Sequence, residues 1–162
     1  KIPKKSKNYI LKRYENHPYF LYTFYEVYES NFFLGLIVSR EVEHLNSKAL
    51  RIIDVLAEDK KISKIINEFV VVFNKSYHQY EYVDVYASSL DSNLLKKGNY
   101  VLVSDSKKII VPDHFSPFEK KNVDIHFFIT NNQPTFLFKG GIAIEKVLHF
   151  LLKAAKCKSL PV

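Results

Sequence analysis

The chain has 162 residues, of which 47% are hydrophobic and 15% aromatic, so it is not a disordered polypeptide and is long enough for one domain with its own core. Its single cysteine, Cys157, excludes an internal disulfide framework and cysteine-based zinc sites, and no apolar run approaches the ~20 residues of a transmembrane helix. The net charge of +7 lies in residues 1–13 and 139–162, which leaves the middle of the chain net negative and argues against a specific nucleic-acid groove.

The N-terminal segments predict a short helix followed by a β-hairpin. Residues 8–15 suit one or two helical turns, which must end before Pro18. Apolar side chains alternate over residues 19–28 and again over 32–40, as in two paired strands. The polar residues 41–48 are expected to form a loop.

The central third predicts a strand–helix–strand unit with parallel strands. Residues 50–56 form an almost continuous apolar run, residues 60–78 carry an apolar stripe at helical spacing, and 82–87 read as a second strand. We expect Glu58 or Asp59 to cap the helix. A short helix over residues 90–97 follows, with a cap at Ser88 or Ser89 and with Gly98 as a left-handed terminating residue.

The C-terminal third predicts a second hairpin, two short strands and a last helix. The hairpin covers residues 100–103 and 108–111, and the strands cover 123–129 and 134–138. Apolar residues at helical spacing predict an amphipathic helix ending near Lys156. The expected organisation is a domain over residues 1–140 and a C-terminal amphipathic helix or tail over 141–162. That helix packs on its own sheet, or it serves for dimerisation or docking to a partner or membrane surface.

The ends of the sequence also suggest its context. No apolar signal core follows the first six residues, so a reducing cytoplasm is the expected location. The sequence lacks methionine even at position 1, which predicts a fragment or a processed form of a longer protein.

The order hairpin, strand, helix, strand, helix, hairpin resembles that of the GNAT superfamily of N-acetyltransferases. Residues 94–100, Leu-Leu-Lys-Lys-Gly-Asn-Tyr, resemble its short helix ending in glycine and an aromatic residue, and residues 51–56 resemble its central strand. Residues 12–19 and 111–119 resemble segments of GNAT-like proteins linked to bacterial surface-polysaccharide biosynthesis. The resemblance covers about residues 10–139 and implies an α/β fold, a GNAT-like mixed twisted sheet with helices on both faces.

The same resemblance implies an acyltransferase that uses acetyl-CoA or another acyl-CoA as co-substrate and a small amine or sugar precursor as acceptor. The family binds the pyrophosphate of CoA on free backbone amides where the helix after the central strand begins. The residues at that turn are Leu56, Ala57, Lys60, Lys61, Ile62 and Ser63. The glycines that the family uses there are missing, and Glu58 and Asp59 stand in their place. The alternative is a structural helix cap without a ligand.

The catalytic residues implied by the resemblance are also changed. Many members have a tyrosine four residues before the glycine, as proton donor to the leaving thiolate, and here that position is Leu94. Tyr86 and Ser92 are the candidate substitutes, and His114, beside Asp113, is a candidate general base. Each of these residues also has an ordinary structural reading. No two histidines have the close spacing of metal ligands, so no metal site is predicted.

Two other functions stay open at this point. One is a GNAT-fold binding or assembly module without transferase activity, which the missing glycines and Leu94 favour. The other is a half-domain of a Fem-type aminoacyl transferase, which would use the basic ends on tRNA. Such a protein would show a salt-sensitive RNA affinity.

Overall fold

The computed structural model describes residues 5–44, 47–76, 80–105 and 108–111, and the backbone of residues 148–153. The predicted strands at 123–129 and 134–138, and with them His114, lie outside the described residues. The described elements are, in chain order, α1 (Lys7–Ile10), a π-helical turn (Leu11–Glu15), β1 (Thr23–Glu29), β2 (Phe32–His44), β3 (Ser47–Ala57), a 3-10 turn (Asp59–Lys61), α2 (Ile62–Ser76), β4 (Tyr82–Ala87), α3 (Ser92–Lys97), β5 (Tyr100–Leu102), a 3-10 turn (Val103–Asp105) and β6 (Leu148–Lys153).

The strands form one mixed sheet in the order β1-β2-β3-β4-β6-β5. β3 and β4 are parallel, and the other described pairs are antiparallel. The parallel pair is the predicted strand–helix–strand unit, with α2 as the crossover.

Both faces of the sheet are covered by helical segments. The apolar stripe of α2 packs on one face against β2, β3 and β4, and the buried residues of this core include Ile37, Leu50, Ile52, Ile62, Ile65, Ile66, Phe69 and Val85. On the other face Tyr14, from the N-terminal helical segment, packs against Val38 and Ile53. The predicted fold class, a mixed α/β sheet with helices on both faces, is therefore confirmed.

The bend between the N-terminal helix and β1 is fixed by His17. Its Nδ1 accepts hydrogen bonds from the backbone N–H groups of Tyr19 and Phe20, at 3.2 and 3.1 Å. These bonds satisfy amides that Pro18 removes from any regular helix. Tyr14 precedes this bend and packs on the sheet against Val38 and Ile53.

The predicted loop at residues 41–48 is wrong. β2 continues to His44 and β3 starts at Ser47, with paired register up to that tip. Lys48 bridges Glu41 and Glu43 at 3.2 and 3.3 Å, so the polar side chains are cross-strand partners. A polar composition that sequence reasoning assigns to a loop also suits the exposed end of a long hairpin.

The predicted second hairpin and C-terminal helix are both corrected by β6. Residues 108–111 form no strand, and β5 pairs with β6 instead. Leu148–Lys153 lies between β4 and β5 and pairs with both, so the predicted helix is wrong over these six residues. A short apolar run fits either a helix or a buried strand, and here two open strand edges satisfy its backbone on both sides.

The predicted helix caps are corrected as well. Asp91, rather than Ser88 or Ser89, caps α3, because its Oδ1 accepts from the N–H groups of Asn93 and Leu94 at 3.0 and 3.1 Å. Gly98 has φ −85°, and the left-handed residue is Asn99 at φ 66°. Asparagine tolerates this conformation better than most side chains do.

Candidate functional site

β3 and β4 stop pairing before either strand ends, which leaves an unpaired stretch between them, called the gap below. Their parallel register ends at Ile52 and Val85, although β3 continues to Ala57 and β4 to Ala87. At the same level Val38 pairs with Asp54 and Ser39 with Ile52, so Ile53 is an extra residue in β3. Such a bulge bends its strand and increases the local twist. The carboxyl half of β3 therefore leaves its parallel neighbour, and the bulge lies at the point of separation.

Asp54 lies at this bulge and is fully buried. Its carboxylate accepts hydrogen bonds from the hydroxyl of Tyr14 at 2.7 Å and from the backbone N–H of Val55 at 2.8 Å, and it pairs with the ammonium group of Lys5. Burial, with the Asp54 charge and hydrogen bond added to it, raises the pKa of Tyr14 far above its usual range. Tyr14 is therefore a neutral donor to Asp54 at any ordinary pH.

A second buried charge pair lies one row away on the same sheet. The Arg51 guanidinium donates to Asp84 from Nε at 2.9 and 3.1 Å and from Nη2 at 2.6 Å, and both side chains are almost fully buried. Burial lowers the pKa of Arg51, but the Asp84 carboxylate outweighs it and leaves the pKa raised. The guanidinium also lies 5.1 Å from the ring centre of Tyr86. The third guanidinium nitrogen, Nη1, is buried without a hydrogen-bond partner among the described residues.

The predicted cofactor residues divide into buried and exposed groups. Ile62 is fully buried in the α2 core, and Ser63 is 8% exposed and accepts a hydrogen bond from the N–H of Asp91 at 2.9 Å. Leu56 and Ala57 end β3 and are partly buried. These four side chains hold elements together, and Ser63 in particular is engaged with the start of α3.

Lys60 and Lys61 are the two predicted cofactor residues that offer charge to solvent. Their side chains are 80% and 36% exposed and lie 3.7 and 3.4 Å from the carboxylate of Glu58. Glu58 makes no side-chain capping hydrogen bond to the turn that starts at Asp59, so the first of the two predicted caps, Glu58, is wrong. The Glu58 carboxylate is therefore paired with these lysines rather than with the first-turn amides.

The predicted catalytic residues are not gathered in one place. Tyr86 is 2% exposed and lies on the sheet face of Arg51, whereas Ser92 begins α3, which packs on the α2 side through Leu95. His114 lies outside the described residues.

Sequence reasoning missed Tyr14, Asp54 and the Arg51–Asp84 pair. A signal was present, because charged residues within otherwise apolar central strands are rarely buried unless they are paired or functional.

A groove of about 630 Å³ lies beside the part of β2 that pairs with β3 but not with β1. The β1–β2 register ends at Thr23 and Ser39, so residues 40–43 have no β1 partner. The lining includes Tyr19, Phe20 and Arg40. In the part of the chain that the structure describes, no cluster of three metal-ligating side chains is found, and no helix is long and apolar enough to cross a membrane.

Comparison with known proteins yields a likeness to solved structures alone. No family model matches the chain, and no curated protein matches it significantly. Among solved structures, a Bacillus subtilis acetyltransferase in complex with CoA is similar, with 11% identity, 93% of this chain and 85% of that chain covered, and a TM-score of 0.48. A likeness at this level identifies neither a site nor an activity in this chain.

The local geometry defines what the site can do chemically. An unpaired stretch between two parallel strands can hold an extended ligand that forms hydrogen bonds with backbone groups at a strand edge. Asp54 lies two residues beyond the last β3–β4 pair, and the positive charges of Lys60 and Lys61 follow the end of β3. This arrangement suits a long ligand with an anionic end and a reactive group near the bulge.

Proposed function

We propose that this chain is an acyl-CoA-dependent acyltransferase that acts on a small amine or sugar precursor. The proposal is supported chiefly by the end of β3–β4 pairing at Ile52 and Val85, beyond which β3 continues alone to Ala57 and then enters the turn that leads into α2. The finer expectation, a precursor of surface polysaccharide, rests on the resemblance of residues 12–19 and 111–119.

In this proposal the extended arm of the acyl-CoA lies in the gap, with its pyrophosphate at the turn. Glu58 does not cap the first-turn amides, and Lys60 and Lys61 add positive charge beside them. Glu58 must release the lysines when phosphate binds. A bound pyrophosphate carries more negative charge than one carboxylate, which makes that exchange favourable.

The transfer needs a base for the acceptor and an acid for the leaving thiolate. The acceptor nitrogen or oxygen attacks the thioester carbonyl, the C–S bond breaks, and the acceptor's proton leaves to a base. We assign Asp54 as that base, because it is the buried carboxylate two residues beyond the last β3–β4 pair. Tyr86 is the proposed proton donor to the thiolate, and Ser92 and His114 are retained as alternatives to be tested.

Binding is tested first, by thermal unfolding with and without acetyl-CoA. At a concentration about 100 times the dissociation constant, the ligand stabilises the fold by about 2.7 kcal/mol. For a domain of this size the midpoint then rises by roughly 5–10 °C. A double variant K60Q/K61Q should lose most of this shift, while the matched double variant K12Q/K97Q, which removes the same charge elsewhere, should keep it. No shift at millimolar acetyl-CoA would sink the proposal for this chain.

Catalysis is tested with Asp54→Asn. The asparagine can still accept from Tyr14 but cannot take a proton, so the rate of CoA release with amino-sugar acceptors should fall by about 10²–10⁴-fold. The acetyl-CoA-induced shift in midpoint should be unchanged. An unaltered turnover rate in this variant would remove Asp54 from the mechanism.

A second candidate function is an assembly module, and the β1–β2 hairpin favours it. Phe32 and Phe33 are 78% and 57% exposed, and Tyr28 lies against Phe33 with ring centres 5.6 Å apart. Exposed aromatic residues in contact are typical of protein interaction surfaces. This function predicts a normal fold with no acyl-CoA binding.

A further inference from the structure

Three charged residues form a row across the middle of the sheet. Arg40 of β2 lies opposite Arg51 of β3, and Arg51 lies opposite Asp84 of β4. The described residues of this row therefore include two guanidinium groups and only one carboxylate. Like charges opposite each other on neighbouring strands are destabilising, and partial burial strengthens the repulsion.

Arg51 has unused hydrogen-bonding capacity. Asp84 takes up Nε and Nη2, and Nη1 is buried with no hydrogen-bond partner. A buried donor without a partner is uncommon in folded proteins, and a charged one especially so. The orphaned nitrogen therefore calls for an acceptor that the described residues do not provide.

Arg40 lacks a carboxylate partner among the described residues. Its guanidinium carbon lies 4.3 Å from the ring centre of Phe20, and burial followed by the charge of Arg51 lowers its pKa. Its side chain leaves β2 on the same face as that of Val38, two residues away, and so lies on the face that carries Tyr14.

The acids that line the groove beside Arg40 are engaged elsewhere. Glu41 accepts from the hydroxyl of Tyr80 at 2.5 Å and from Lys48 at 3.2 Å, and Glu43 pairs with the same lysine at 3.3 Å. Arg40 therefore remains the available positive charge in the groove lining, and Arg51 is its register partner on β3.

We propose that Arg40 and Nη1 of Arg51 form a subsite for one oxyanion group, a carboxylate or a phosphate, of a small ligand that enters through the groove. Planar guanidinium groups bind both anions through paired N–H donors. The anion would satisfy Nη1 and separate the two positive charges. Because the subsite is on the face of Tyr14 and Asp54, the acceptor of the transfer reaction carries that anionic group, an extension that rests on the proposed function.

The test compares charged and neutral forms of one sugar by titration calorimetry. Glucuronate supplies a carboxylate, glucose 6-phosphate a phosphate, and glucose neither. At least one charged sugar should bind about tenfold or more tightly than glucose, and the tighter of the two identifies the anion. Equal binding of all three would overturn the proposal.

Arg40→Gln is the decisive variant, because no carboxylate loses its partner and the fold should persist. Its affinity for the charged sugar should fall on the order of 10- to 100-fold, as expected for the loss of a charged hydrogen-bonding group. Arg40→Lys should lose less, and Lys12→Gln, an equal charge change on the exposed helical segment, should change nothing. Equal losses in R40Q and K12Q would show a general charge effect and contradict the subsite.

The same samples separate this inference from the proposed function. Anion binding with no acetyl-CoA shift leaves the subsite standing and removes the acyltransferase. An acetyl-CoA shift with no anion preference leaves the acyltransferase standing and removes the subsite.

Discussion

Arg51 and Asp84 bury opposite charges in neighbouring strands, with exposed fractions of 1% and 0% for their side chains. Taking each charge out of water is costly, and their mutual attraction offsets that cost only while both are present. The pair joins the two parallel strands just before they separate. At the residue scale, the stability of the site therefore depends on paired rather than single charges.

Asp84→Asn should destabilise the fold by about 3–5 kcal/mol, because it leaves the Arg51 charge buried without its counter-charge. The double variant R51M/D84L removes both charges and should recover most of that loss. Urea unfolding measured by circular dichroism gives both values. A loss below about 1 kcal/mol in D84N would show that water or another anion already reaches Arg51.

At the scale of elements, Gly35 sets how closely β2 and β3 approach. A Cβ at this position would lie 2.7 Å from the carbonyl oxygen of Leu56 and 2.8 Å from the Cβ of Ala57. Both are groups at the end of β3 that cannot rotate away. The glycine thus holds the diverging half of β3 against β2.

Gly35→Ala should destabilise the fold by about 1–3 kcal/mol through this overpacking, and should weaken acetyl-CoA binding because the end of β3 must shift. Gly98→Ala is an informative contrast. Its Cβ would meet the side chain of Asn67, at 1.4 Å from Oδ1, and its φ of −85° is open to any residue. The loss in G98A should therefore be rescued by adding Asn67→Ala, whereas that substitution should do nothing for G35A.

The helices and strands of this fold could be predicted where the apolar residues followed a single spacing, either that of a helix or that of a strand. The strand at Tyr82–Ala87 was predicted with its observed bounds, and α2 followed its apolar stripe. Leu148–Lys153 could not be predicted, because its partners are the edges of β4 and β5, which only the tertiary fold supplies.

The candidate site was harder to predict than the fold for the same reason. Lys60 and Lys61 could be proposed as site residues from the sequence, because they come shortly after the predicted end of a strand. Tyr14 and Asp54 are 40 positions apart, and their hydrogen bond depends on how the N-terminal segment packs on the sheet. A charged residue within an apolar strand can be recognised in the sequence as a candidate site residue, but its interaction partner can be identified only from the folded structure.

At the scale of the whole molecule, buried tyrosines make the free energy of unfolding depend on the pH of the solution. Burial raises the pKa of Tyr100 well above its ordinary value near 10, and its hydroxyl donates to the carbonyl of Ile66 at 3.2 Å. The pKa of Tyr14 is raised by burial and by Asp54, and burial raises that of the less buried Tyr82 to about 12. In each case the folded state keeps a proton that the unfolded chain releases near pH 10. The stabilisation is therefore complete below pH 10 and is lost progressively as the pH rises from there through the folded-state pKa values.

Free energies of unfolding measured in urea should be level from pH 8 to 9 and then fall steeply between pH 10 and 11, with Tyr14 and Tyr100 each contributing up to about 1.4 kcal/mol per pH unit. Tyr100→Phe removes one of these groups and should make the decline shallower by about that amount, after a loss of about 1 kcal/mol at neutral pH from its hydrogen bond. Tyr19→Phe is the matched control, because Tyr19 is 85% exposed and its phenol is already in contact with water in the folded state. Groups common to the wild type and both variants cancel in the comparison. If Y19F altered the alkaline slope as much as Y100F does, or if stability stayed level to pH 11, the buried phenols would not be the groups that couple this fold to alkaline pH.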